Sequence, residues 1–152
     1  MGDRVSMTKK LGWSNLVIGV GLVLVFFAAP HLIDDFLYGI PEEFGLTNWQ
    51  TQILAGIFHV QLIVFFVLVA RERKAGYYGT LFWGIFLALA GILKHLPEIL
   101  KPEPYWSGVF SETLIIGLII VGIALALTSL FALRSTKEPT RQQMKAAQTK
   151  PD

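Results

Sequence analysis

The chain has 152 residues, of which 53% are hydrophobic and 16% charged, with a mean hydropathy of +0.56. Soluble domains carry about 25% charged residues; here the charges are kept out of long apolar runs, the pattern of a single domain embedded in a bilayer. The absence of cysteine excludes disulfides, thiolate metal sites and cysteine nucleophiles, and a formal charge of +2 is too mild to suggest a nucleic-acid partner.

Residues 1–10 are polar and carry Arg4, Lys9 and Lys10. The uncharged run that follows predicts a first membrane span over 11–30, because a hydrocarbon core about 30 Å thick takes about 20 helical residues. The run is longer than the roughly 7–15 residues of a signal-peptide core. Phe27 also stands where a cut after Ala29 would need a small residue, so an uncleaved span is expected. Beyond it, Leu32, Ile33, Phe36, Leu37 and Ile40 fall at helical spacing, with Asp34 and Asp35 between them. Pro30 is suited to start a helix and Gly39 to end one, which predicts a short amphipathic helix on the membrane surface.

The second span is expected over 50–70, behind Trp49 as an interfacial anchor, and it carries Gln52, His59 and Gln61. Arg71-Glu72-Arg73-Lys74 is a tight turn into a third span over 76–94, which makes these two helices antiparallel neighbours. A proline-rich connection with Pro97, Pro102, Pro104, Tyr105 and Trp106 leads to a fourth span over 112–133. From residue 134 to residue 152 the chain is polar, and a disordered tail is expected. Small-residue pairs, Gly84 with Ala88 and Gly122 with Ala126, allow helices three and four to approach closely. The predicted fold is an all-α, four-helix membrane bundle.

The basic residues set the expected orientation. Arg4, Lys9, Lys10, Arg71, Arg73, Lys74, Arg134, Lys137, Arg141, Lys145 and Lys150 all lie on one side of such a bundle, leaving only Lys94 and Lys101 on the other. The positive-inside rule then puts both termini in the cytoplasm, which for a prokaryotic chain means the plasma or inner membrane.

Two stretches read His-Leu-x-acid: His31-Leu32-Ile33-Asp34 and His95-Leu96-Pro97-Glu98. They close the first and third spans at matched depth, and Gly12 and Gly76 share their offset, a trace that a duplicated two-helix unit would leave. Residues three apart share a helix face, so Asp34 is placed to orient His31, and Glu98 to orient His95. With Glu112 at the start of span four, His31, Asp34, His95, Glu98 and Glu112 form a candidate divalent-metal site. His31 and His95 alone form a candidate haem site. The alternative is a gathering of polar residues at the membrane surface. Gln52 and His59 lie on one stripe of the second span and are expected to be buried, with His59 near mid-membrane. The bland role for His59 is a hydrogen bond to another helix.

No phosphate loop, nucleophile turn or His-Glu-x-x-His motif is present. The leading expectation is a non-enzymatic protein, either an accessory subunit or a binder of lipid or a small hydrophobic molecule. Its partners would be the bilayer and a second copy or a larger membrane complex. A metal- or haem-binding redox protein is the second expectation, and a small oligomeric transporter with His59 on its path is the third.

Overall fold

The computed structural model of the protein describes residues 12–103, 105 and 107–135. Among these residues the helices are α1 (Trp13–Leu37), α2 (Ile40–Glu43), α3 (Asn48–Ala70), α4 (Lys74–Ala90), α5 (Leu96–Ile99) and α6 (Val109–Ser135). A π-helical turn, Gly91–His95, joins α4 to α5. Four helical stretches are long and apolar enough to cross a membrane: Trp13–Leu37, Asn48–Ala70, Lys74–Ile99 and Val109–Ser135. The N-terminal segment 1–10 and the tail beyond Ser135 lie outside the described residues.

α1 differs from expectation at its outer end. Pro30 does not start a separate surface helix; it lies inside α1, which continues to Leu37. A proline withholds one backbone donor, here from the carbonyl of Phe26, and a membrane helix tolerates that loss where neighbouring groups hold the next turn in place. They do so here, because Asp34 on that turn is hydrogen-bonded to Ser107 and Ser111. The helix ends where the sequence placed an end, at Gly39, whose φ of 71° suits a residue without a Cβ. The short helix between the first two spans is α2, Ile40–Glu43.

α3 begins with a capping box. The Thr47 hydroxyl accepts from Gln50 N–H, and the Gln50 side chain accepts from Thr47 N–H at 2.8 Å. Its end leads through Arg71–Arg73 directly into α4. The turn is tight enough that a Cβ on Gly76 would lie 2.5 Å from the backbone nitrogen of Val69.

α6 packs along both α4 and α1, while α3 packs mainly on α4 and keeps only Leu62 and Val69 buried. The two small-residue pairs, each expected to permit close approach, meet each other. A Cβ on Gly84 would stand 2.7 Å from the backbone of Ala126 and of Gly122, so α4 and α6 touch backbone to backbone. One turn away, the buried hydroxyls of Thr80 and Ser129 are hydrogen-bonded across the same interface at 2.8 Å. Val17, Leu24, Tyr77, Leu118 and Leu125 fill the core between α1, α4 and α6. The outcome is a compact three-helix core with α3 leaning on its side.

Candidate functional site

The π turn shapes the outer end of the bundle. Leu96 N–H reaches back five residues to the Gly91 carbonyl, and Pro97, next in line, has no N–H to give. The widened turn carries His95 inward, where it is buried at 7% exposure, against His31 of α1 at 8%. The expected approach of the two histidines is present. Their rings meet edge to face, with centroids 5.0 Å apart.

The acids divide differently from expectation. Asp35, not Asp34, accompanies His31, with its Oδ2 3.5 Å from His31 Nε2. Positions three and four along a helix both flank a residue, and here the rotation of α1 turns the earlier acid towards α6. Asp34 is buried and accepts from the hydroxyls of Ser107, at 2.6 Å, and Ser111. These serines flank the start of α6, where the positive end of the helix dipole favours a carboxylate. Glu98 is exposed and paired with Lys101 at 2.5 Å, because α5 turns its acid outward to water. Glu112 is half-buried in the first turn of α6, one position past the serine that faces α1. Of the five residues proposed for a metal, only His31 and His95 share a place. Asp35 completes the group, with one donor atom from each residue lying within 4.8 Å of the others. The rings touch edge to face, and in this arrangement no macrocycle lies between them.

Tyr105, from the connection before α6, closes this end. It is buried, and its hydroxyl is 2.6 Å from His95 Nδ1. Burial, followed by the charges of Asp35 and Asp34, pushes the Tyr105 hydroxyl above its ordinary range, so it stays protonated. The sequence suggested only an interfacial anchor here, and no spacing signal links a loop tyrosine to a histidine across a bent connection. Asp35 was legible as the fourth residue after His31. Ser107 and Ser111 carried no signal.

Below the cluster lies a cavity of about 590 Å³ between α1, α3 and α4, within the roughly 300–1,000 Å³ typical of small-molecule sites. His31, Asp35 and His95 form part of its polar end, and Phe58, Trp83 and Phe86 form an aromatic wall. The Phe58 and Trp83 rings pack edge to face at 4.7 Å. Lys94 and Phe44 also line it, with Lys94 bonded to Glu43 at 2.6 Å. Among the described residues, the buried side-chain polar atoms without a hydrogen-bond partner are His31 Nδ1, Asp35 Oδ1 and Trp83 Nε1. All three residues line this cavity.

His59 and Gln52 correct the expected buried stripe. His59 is half-buried and lines the cavity, but its hydrogen bond stays within its own helix: Nδ1–H donates to the Ala55 carbonyl at 2.7 Å. Gln52 is exposed, because it lies one turn from the start of α3 on the side away from the core, at a level where water is in reach. Comparison of the chain with protein-family models, with curated proteins and with solved structures finds no match.

Proposed function

We propose that the protein is a multi-pass membrane protein that holds a small amphiphilic molecule in the cavity between α1, α3 and α4. The observation that carries this reading is the coincidence of the unpartnered buried atoms with the cavity wall. A buried polar atom without a partner costs about 1–3 kcal/mol, and such atoms are few in a folded protein. Here Trp83, Asp35 and His31, each with one buried polar atom that lacks a partner among the described residues, all line one apolar space. A molecule with an apolar body against Phe58 and Phe86, and a polar end offering both donor and acceptor, satisfies them together.

The four apolar stretches support membrane embedding. The exposed apolar face of α3, including Ile53, Val60 and Val67, supports contact with lipid or a partner helix there. The distribution of lysine and arginine supports cytoplasmic termini, with the His31–His95 end of the bundle on the opposite side.

Native mass spectrometry of the protein purified from membranes in mild detergent tests the proposal. The chain should carry an adduct of a few hundred daltons that Ala55→Phe, which puts a ring into the cavity from α3, does not retain. Identical adduct patterns for the two proteins, or none on either, would contradict it.

A further inference from the structure

We propose that His31, Asp35 and His95 bind one divalent first-row transition-metal ion at the outer end of the cavity. Two imidazoles and a carboxylate are the donors that ions such as zinc, iron(II) and cobalt(II) take. Zinc sits about 2.0–2.1 Å from imidazole nitrogen, so two donors on one ion lie within roughly 4 Å of each other. The three donors here already lie within 4.8 Å, and rotamer adjustments of under about 1 Å close the remainder.

Several independent features point to an ion rather than to a chance gathering of polar groups. His31 is more than nine-tenths buried and its Nδ1 has no hydrogen-bond partner; Asp35 Oδ1 lacks one as well. His95 places Nδ1 on the Tyr105 hydroxyl. In the tautomer that carries its proton on Nδ1 and donates it to this oxygen, His95 presents Nε2 as its lone-pair nitrogen, the usual arrangement behind a metal-bound imidazole. Tyr105 is thus a positioning residue. Charge is also provided for. Asp35 supplies one negative charge directly, and the neighbouring Asp34, held on Ser107 and Ser111, supplies a second nearby. The ammonium of Lys94 opposes a cation, but it is paired with Glu43 at 2.6 Å. Three protein donors leave further coordination positions on such an ion. The site shares His31 and Asp35 with the amphiphile reading, but the ion is read by its spectrum and the amphiphile by its mass, and either result can fail alone.

The test uses the full chain in detergent, without an affinity tag and stripped with a chelator, titrated with cobalt(II) and then with zinc. Visible d–d absorption should saturate at one cobalt per chain, and zinc should bleach it. His31→Gln, Asp35→Asn and His95→Gln should each weaken cobalt binding at least tenfold, and Tyr105→Phe about tenfold, whereas Glu98→Gln should bind as the parent does. Absence of a saturable spectrum on the unaltered chain overturns the proposal whatever the variants do. So does a spectrum that folded Asp35→Asn and His31→Gln retain undiminished.

Discussion

Asp34 and Asp35 are adjacent on the last turns of α1 and serve different neighbours. Asp34 is spent on the hydroxyls of Ser107 and Ser111 beside α6, while Asp35 faces His31 and the cavity with one oxygen unpartnered. One carboxylate therefore ties the bundle together at this end, and the other keeps an oxygen without a hydrogen-bond partner among the described residues.

Opposite effects on stability follow for the two acids. Asp34→Ala removes two hydrogen bonds to a carboxylate, each worth about 1.5–3 kcal/mol, and should lower the unfolding free energy by at least about 1.5 kcal/mol. Asp35→Asn in metal-free protein relieves a buried charge while preserving shape, and should leave stability unchanged or raised. Denaturant unfolding in mixed micelles, followed by circular dichroism, measures both. Equal losses would show that both acids are structural.

The contact between α4 and α6 gives a second expectation. Gly84→Ala places a methyl 2.7 Å from the backbone of Ala126, and rigid backbone cannot yield as a side chain does. A loss of about 1–3 kcal/mol is expected. Gly56 has nothing within 4 Å of an added Cβ, so Gly56→Ala should be neutral or stabilising. Thermal unfolding of the pair in one detergent separates a specific close approach from a general intolerance of bulk.

His59→Leu should remain folded, within about 1 kcal/mol of the parent. Leucine is favoured at the centre of a membrane helix, and the lost hydrogen bond joins His59 only to Ala55 of the same helix. Because the ring lines the cavity, the variant should nonetheless retain less of the bound amphiphile. Stability by circular dichroism and adduct occupancy by native mass spectrometry read the two effects separately, and a collapse of the fold would assign the histidine a structural role.

Much of this architecture was legible in the sequence, for identifiable reasons. Bilayer thickness imposes a length on apolar runs, so the four long helices stood out, and small residues at Gly84 and Gly122 marked the face where two of them meet. Matched depth brought His31 and His95 together on paper. What the sequence withheld was rotation and bending. Whether Asp34 or Asp35 accompanies His31 depends on how far α1 is turned about its axis, since both positions flank the histidine. Pro30 is an ordinary helix start in isolation, and only the anchoring of the next turn by Ser107 and Ser111 lets α1 run through it. The π turn that swings His95 inward, and the fold-back that sets Tyr105 on it, arise from tertiary packing around Pro97 and leave no periodic trace.

Orientation in the membrane is open to a direct test. A reporter fused after Pro151 should be active only as a cytoplasmic fusion, and one inserted at Glu42 only as an external one, because eleven of the 13 lysines and arginines lie on the first side. The reverse pattern would place the His31–His95 end of the bundle on the cytoplasmic side.

The central claim is that the cavity holds a molecule whose polar end meets the unpartnered groups, and the indole N–H of Trp83 is the most direct witness to it. Its Nε1 is buried and has no hydrogen-bond partner among the described residues. In 15N-labelled protein, with the signal assigned through Trp83→Phe, exhaustive detergent exchange to remove bound amphiphile should move the Trp83 indole proton upfield as its acceptor leaves. The signals of Trp13 and Trp49 should stay in place. A Trp83 resonance that holds its position while the mass of the protein falls to that of the bare chain would contradict the claim.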